Sequence, residues 1–570
     1  MQHWVPQSVI ALRQYNRHTF ISDAIAGVTV GLVALPLAMA FAIASGLSPQ
    51  AGIYCAIVAG FLTAALGGSM TAIGGPTGAF VVVVAGIISQ YGVNGLFVCT
   101  MMAGLILIGL GASGVGSAVK YIPRPVVVGF TNGIAVLIAS TQLRDFFGLR
   151  IERVPDHFVD RIRVVAAHFA TISVPATILG IATILTVVAT PRVFRRVPGT
   201  IVAMFGVSIA AIVLALPVET IGTRFGGVPS GLPQIQFPSI TWSVLPDLLM
   251  PAMTVAMLGA IESLLSATVA DRMMGTRHNP NVELIGQGVA NIFSPLVGGL
   301  PATGAIARTA TNIRSGARTP VAGMIHALTL LLILLFAAPL AAQVPLAVLA
   351  GLLFIVAYNM GEWHEIPMLL KMTKADIAVW FATFALTVLA DLTVAVEVGM
   401  VLAALLFIRR VAETTSVARV TGSLVEEGRL HSLQGVSIPD YAAVYRIHGP
   451  FLFGATDKLT AILDHLPKLP PIIIMRLRHV PAMDASGLQA LADLADHVRL
   501  SGRALLLCGA RRQPAQLMAR AEFHAHLGEA NILSNVHDAM RRAKEIAAEL
   551  DLEQQRELGP SHSDRPRPVR

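Results

Sequence analysis

Long apolar stretches follow one another from about residue 26 to residue 409, and short polar connections between them carry many of the basic residues. A transmembrane helix needs roughly 17–25 predominantly apolar residues. About fourteen stretches are candidates, some of them short: 26–46, 51–68, 71–91, 94–113, 123–142, 170–190, 199–216, 248–270, 284–300, 301–314, 320–342, 345–360, 376–392 and 393–409. The third and the tenth are interrupted. Residues 74–80 read GGPTGAF, and the chain from Gly298 reads GGLPATGAI. Glycine and proline are poor residues for a helix interior. One phrase therefore breaks an apolar segment twice, once in each half of the array.

Beyond Val411 charged residues become frequent and apolar stretches shorten. Residues 442–449 and 471–480 read as strands by their length and β-branched content, and 503–509 as a third. Residues 486–502 read as an amphipathic helix with Ser486 as its cap and Gly502 at its end, and "PAQLMARAEF" as another. Strands alternating with helices predict a small α/β domain over 437–548. A linker is expected over 412–436 and a disordered polar tail over 549–570. Residues 1–22 form a short cytoplasmic segment and 23–411 the membrane part.

Composition agrees with the pattern. Hydrophobic residues make up 54% and charged residues 13%, with a mean hydropathy of +0.69. A soluble chain would carry about twice that charge. The first twenty residues are mixed and basic, with no cleavable signal. Cys55, Cys99 and Cys508 are scattered and suggest neither a disulfide framework nor a metal site. A net charge of +8 could suit a nucleic acid, but the basic residues cluster between apolar runs. Clusters at Arg13/Arg17, Lys120/Arg124, Arg192/Arg195/Arg196, Arg272/Arg277, Arg314/Arg318, Lys371/Lys374 and Arg409/Arg410 fall on one side if both termini are cytoplasmic. The connection 143–168 is an exception, with five arginines on the opposite side. These readings exclude an enzyme, a cofactor and a nucleic-acid partner, and place a multi-pass protein in the inner membrane.

Two broken spans in corresponding positions predict an inverted repeat of seven spans and seven. Backbone groups freed by a break cannot face lipid, so both breaks must face protein or a cavity. Pro76 and Pro301 would suit the first turn of a half-helix. Two opposed half-helix N-termini would then form a site for an anion. The alternative is two ordinary kinks; the repeated wording favours the site. Glu262 lies in mid-span, where a carboxylate costs about 2.5–3.5 kcal/mol on insertion scales. Ser266 is one turn on, and Arg308 lies within the second interrupted span. Such charges mark an ion or substrate pathway, or else Glu262 and Arg308 form a structural ion pair. Asp391 and Glu397, nearer a loop, are read as capping or packing groups.

These residues resemble the SulP family of anion transporters, relatives of the SLC26 proteins, over nearly the whole chain. "ALPLAMAFAIASGLSPQAGIY" resembles the first-span signature, "IGGPTGAF" the third span, "RHNPNVELIGQG" the loop into the ninth and "GGLPATGAIARTATN" the tenth. The soluble part resembles a STAS domain, with "MDASGLQAL" as its Asp-x-Ser-Gly loop. The resemblance implies an anion held between Phe41, Thr77, Gly78, Ala79, Phe80, Thr303, Gly304, Ala305 and Ile306, with Arg308 supplying positive potential. It implies that Glu262 couples transport to a cation, with Ser266 as the hydroxyl one turn on. Leu37 stands where the family signature has Gln. Apolar Ile306 replaces the hydroxyl of sodium-coupled members, which makes protonation of Glu262 the simpler coupling. From Ala256 to Arg410 the chain is most similar to the aerobic C4-dicarboxylate permeases of the family, which implies succinate-like substrates first, with sulfate or bicarbonate as alternatives. A homodimer in membrane lipid, acyl carrier protein at the STAS domain and phosphorylation of Ser486 are further implications. A nucleobase transporter, an anion channel and a membrane-anchored sensor are the competing readings.

Overall fold

The computed structural model describes residues 4–557, apart from 14, 115, 117–122, 153, 156, 195–197, 228–230, 232–233, 240–241, 391 and 421–437. Asp391 and the side chain of Glu397 lie outside the described residues. The chain divides into two compact units, Met1–Ala403 and Ala404–Arg570.

In the first unit the first half comprises α1 (Arg17–Ala44), α2 (Pro49–Leu66), β1 (Gly74–Gly75), α3 (Phe80–Ala112), α4 (Arg124–Phe147), α5 (Val174–Val193) and α6 (Gly199–Val213). The second half comprises α7 (Leu245–Met274), α8 (Pro280–Leu296), β2 (Thr303–Gly304), α9 (Ile306–Arg314), α10 (Val321–Ala341), α11 (Leu346–Met360), α12 (Lys374–Leu389) and the start of α13 (Leu392–Thr414). Helix α3 is two spans joined at Gly92, whose φ of 71° is open to glycine and breaks the helix. Among the described residues eight helices are long and apolar enough to cross a membrane.

The packing repeats from half to half. Helix α1 corresponds to α7, α2 to α8, the start of α3 to α9, its end to α10, α4 to α11 and α5 to α12. Accordingly α2 packs on α10 as α8 packs on α3, α1 on α10 as α7 on α3, and α4 on α12 as α11 on α5. The contact of α3 with α8 is backbone-close. A Cβ on Gly104 would lie 2.7 Å from Gly288 O, and one on Gly288 2.6 Å from Gly104 O.

Hydrogen bonds sort the connections onto two faces. On one face Gln7 N donates to Gly67 O, Asn279 N to Gly68 O, and Gly68 N and Ser69 N to Glu283 Oε2. Asp23 there accepts from Arg318 N (2.7 Å), Thr319 N and Thr319 Oγ1. On the other face Asn94 and Ser239 exchange two hydrogen bonds, Gln236 N donates to Leu296 O and Ile221 N to Val344 O. The first face collects Arg13, Arg17, Arg272, Arg277, Arg314 and Arg318, the distribution that the positive-inside pattern requires.

The second unit is an α/β domain. Strand β3 (Ser416–Arg419) pairs antiparallel with β4 (Ala442–His448), and β4, β5 (Ile472–His479), β6 (Ala504–Cys508) and β7 (Ile532–Leu533) continue in parallel. Alternation along β4 sends Ala443, Tyr445 and Ile447 to one apolar cluster and Ala442 and Val444 to another. Helices α14 (Asp457–Asp464), α15 (Ala485–Leu500) and α16 (Arg512–Arg520) supply the first cluster, and α17 (Val536–Glu557) the second. Three expectations change. Strand β3 lies inside the stretch read as a linker, where Val417 adds to the core. The helix α17 runs to Glu557, past the expected start of the tail. The cap of α15 is Asp484, which accepts from Gly487 N at 2.8 Å, because Ser486 already sits inside the first turn.

Asp23 is 0% exposed and satisfies two backbone N–H groups of the opposite half. Asp23→Ala should lower stability by about 1.5–3 kcal/mol, the worth of hydrogen bonds to a buried charged group. Loss of Glu413, in an exposed pair with Arg409, should cost under about 1 kcal/mol. Thermal unfolding followed by size exclusion in detergent separates the two, and equal midpoints would show that Asp23 is dispensable.

Candidate anion site at the paired breaks

The two breaks meet as a short antiparallel ladder, with Gly74 opposite Gly304 and Gly75 opposite Thr303. The next pairs in register would be Pro76 with Ala302 and Thr77 with Pro301. Proline has no N–H to donate, so the ladder stops there. The helices begin only afterwards, at Phe80 and Ile306. The prolines therefore end a strand pair; they do not open the half-helices, as the spacing had suggested.

Side chains of the second half complete both breaks. Arg308 is 3% exposed and donates from Nη2 to Pro76 O. Thr309 Oγ1 accepts from Ile73 N (2.9 Å), and Ala305 N donates to Ile73 O (2.8 Å). Around the second break Gln287 Nε2 and Asn291 Nδ2 donate to Ala302 O at 2.7 and 3.0 Å, and Asn291 Oδ1 accepts from Ala302 N. Gly304 N donates to Ser263 Oγ. Thr303 Oγ1 donates to Gly259 O (2.9 Å) and lies 3.0 Å from Ser263 Oγ. Ser266 Oγ lies 2.9 Å from Thr309 Oγ1.

Glu262 and Arg308 do not pair with each other. Glu262 Oε2 accepts from Thr77 Oγ1 at 2.9 Å, whereas Arg308 holds the Pro76 carbonyl. The carboxylate of one half thus sits beside the break of the other.

Thr77, Gly78, Ala79 and Phe80 lie together and buried, with Phe41 of α1 against them. A Cβ on Gly78 would lie 3.0 Å from Ile138 Cδ1, 3.3 Å from Phe41 Cε1 and 3.6 Å from Met360 Sδ. The gap beside Gly78 is therefore bounded by the ends of Phe41, Ile138 and Met360, and in this structure it is closed: even a methyl group would need them to move. Thr303, Gly304 and Ala305 are also buried, but their donors are used within the protein. Ile306 is 41% exposed, so the second half presents an apolar edge rather than a hydroxyl. Leu37 packs in an apolar cluster with Leu346 and Leu353. Ser486 is exposed on the first turn of α15.

The sequence had singled out neither Ile138 nor Met360, which are ordinary apolar residues of apolar spans. It also passed over Gln287, Asn291 and Thr309. Gln287 and Asn291 had a signal: two amides at i and i+4 on one face of an apolar span.

Two inverted halves whose broken spans meet define a membrane transporter of the inverted-repeat class. The chain belongs to the sulfate permease family, which it matches over residues 20–383, and it carries a STAS domain over 435–539. It is thus an anion transporter of the SulP kind. It is 40% identical to the putative sulfate transporter YvdB of Bacillus subtilis over 526 residues, 92% of this chain and 98% of that one. It is 31% identical to the bicarbonate transporter BicA of Synechocystis over 533 residues, 91% of this chain and 94% of that one. The transmembrane domain of a cyanobacterial BicA superposes with a TM-score of 0.61 at 34% identity, covering 67% of this chain and 98% of that one. SLC26A9 superposes with a TM-score of 0.84 over 95% of this chain and 92% of that one; at 17% identity that shows the fold alone. YvdB and BicA are named for sulfate and bicarbonate, and the dicarboxylate reading gains no support from them.

The two glycines of the repeated phrase should respond differently. At Gly78 an added methyl meets only movable side-chain ends. Gly78→Ala should keep its elution profile and weaken anion binding by about 1–3 kcal/mol, the usual cost of overpacking. At Gly304 the methyl would lie 2.9 Å from the Ser263 Cα, so Gly304→Ala should lower thermal stability instead. Calorimetry and thermal unfolding in detergent read the two effects. Unchanged anion affinity in Gly78→Ala would remove the gap from the binding site.

Proposed function

We propose that the protein imports a small inorganic oxyanion by proton symport, with sulfate as first substrate and bicarbonate as second. The observation that carries this reading is the Thr77–Glu262 hydrogen bond, which places an ionisable carboxyl one residue from the gap at Gly78. While Glu262 is ionised it repels an anion entering that gap. Two unit charges about 4 Å apart repel by roughly 4 kcal/mol at an effective dielectric near 20. Protonation removes the repulsion, so proton and anion load together. Arg308, held against Pro76 O, adds fixed positive potential behind the break. Helix N-termini at Phe80 and Ile306 add partial positive charge.

The same reading places the protein in the inner membrane as a homodimer with cytoplasmic termini. The exposed Ser486 is a site for phosphorylation, where a phosphate would gain from the N-terminus of α15 and lose by repulsion from Asp484. Acyl carrier protein is the proposed partner of the STAS domain.

Proteoliposomes with an inward proton gradient should concentrate labelled sulfate, less so bicarbonate and least succinate, and acidifying the outside should speed uptake. Preferred succinate uptake would restore the dicarboxylate reading. Glu262→Gln carries the neutral form permanently. It should bind anion and exchange it while losing pH dependence and concentrative uptake. Wild-type pH dependence in Glu262→Gln would move the coupling elsewhere.

A further inference from the structure

The sequence marks residues 1–22 only as a short segment before the first span, yet the structure turns its side chains in an unusual direction. Residues Gln7–Leu12 form a short helix against the end of α2. Its polar residue points inward. Ser8 is 5% exposed and donates from Oγ to Ala65 O (2.6 Å), and Gln7 N donates to Gly67 O. Its apolar residues point outward: Val9, Ile10 and Leu12, with Trp4 just before them, are 41–54% exposed. A helix at a water-facing protein surface shows the reverse arrangement.

The apolar patch resumes on α1. Phe20, Ile21, Ile25 and Val28 are exposed, and Ile21, Ile25 and Val28 follow one another at i, i+4 and i+7 along a single face. Helix α1 is long and apolar enough to cross a membrane, so that face meets acyl chains. Between the two parts of the patch lie Arg13, Arg17 and His18, all exposed. No acidic residue precedes Asp23 in the chain. Asp23 itself is turned inward, where it accepts from Tyr15 Oη, Arg318 N and Thr319.

We propose that Trp4, the Gln7–Leu12 helix and the start of α1 form an in-plane anchor for anionic phospholipid on the membrane face that carries the N-terminus. The outward apolar side chains enter the acyl boundary, and Arg13 and Arg17 meet the headgroup phosphates. Binding of such a helix grows with buried apolar area and with attraction to anionic lipid together, and tryptophan favours the same depth. Lipid is the occupant because the patch is continuous along the chain with a face of α1 that lipid already covers, and because its flanking charges have one sign. The anchor holds carbonyls at the end of α2, directly before Gly68 and Ser69, whose N–H groups donate to Glu283. Lipid binding therefore fixes the end of α2 that leads into β1. None of this depends on which ion the protein carries.

The test uses full-length protein with an added cysteine, Ile10→Cys, labelled with an environment-sensitive fluorophore; Cys55, Cys99 and Cys508 are buried and leave the added thiol as the reactive one. The protein is placed in vesicles of phosphatidylcholine and phosphatidylglycerol in equal parts, with a shallow nitroxide on the acyl chain of one lipid or the other. The nitroxide should quench the label, and the phosphatidylglycerol form should do so with about a fivefold local preference, the effect of one basic residue near an anionic surface. Replacing both arginines, Arg13→Gln with Arg17→Gln, should remove most of that preference and leave the label in the membrane. Arg13→Lys with Arg17→Lys should keep it, and raised salt should weaken it. A size-exclusion profile like that of the parent checks that each variant folds. Quenching by aqueous iodide instead of the nitroxides would place the helix in water and overturn the proposal. Shielding from both quenchers would show protein over the patch, from this chain or a second copy, and would overturn it too. Equal quenching by the two lipids would overturn the selection of anionic lipid.

Discussion

The structure depends on one constraint: a helix broken inside a membrane leaves backbone groups that lipid cannot satisfy. Here each half satisfies the other's break. Gly74 and Gly75 pair with Gly304 and Thr303, Ile73 exchanges bonds with Ala305 and Thr309, and Arg308 takes the Pro76 carbonyl. The second break also leans on its own half, through Gln287 and Asn291 at Ala302 and Ser263 at Gly304. Neither break could be held with the other half absent. The inverted repeat is therefore required by hydrogen bonding as well as by packing.

That solution leaves the halves unequal. Donors around Thr303–Ala305 are committed to the protein, while the gap beside Gly78 is bounded by side-chain ends. Glu262, from the second half, reaches over to Thr77 of the first. The carboxyl and the space beside Gly78 thus come from different halves, so Glu262 lies beside its neighbour's break across the pseudo-symmetry rather than its own. The repeated wording of the sequence suggested two equal halves; the structure gives the first half the space beside Gly78 and the second half the Arg308 brace and the Glu262 carboxyl.

The sequence made the spans legible because hydrophobic length is a strong signal in a membrane protein, and the two Thr-Gly-Ala phrases marked where the halves meet. Sheet pairing between them was not legible, because two residues in each strand leave no alternation to read. The prolines misled for the same reason: a proline suits a first helical turn and the end of a strand pair equally. Ser486 and Asp484 are both capping residues two positions apart, and only the position of the first turn decides between them. Ile138 and Met360 carried no mark, since apolar residues lining a gap are written like those facing lipid. The arginines of 143–168 were visible as an exception in the loop charges, but the burial of one of them, Arg161 at 4% exposed, was not.

The seam on which the gap lies limits what motion can do. Phe41 lies on α1 and Gly78 just before α3, helices that pack with α10, α7 and α8, whereas Ile138 and Met360 belong to α4 and α11, which pack on each other and on α12 and α5. The ladder and the Arg308–Pro76 contact lie wholly within the first group. Any displacement that opens the gap must part Gly78 from Ile138 and Met360 while leaving the paired breaks intact, because parting the breaks would strand buried backbone groups at about 1–3 kcal/mol each. The two breaks therefore move as one body, and Glu262 travels with Thr77. In the proposed symport the carboxyl then keeps its place beside Gly78 wherever the gap opens, which is what a coupling group needs if it is to release its proton on the side where the anion leaves.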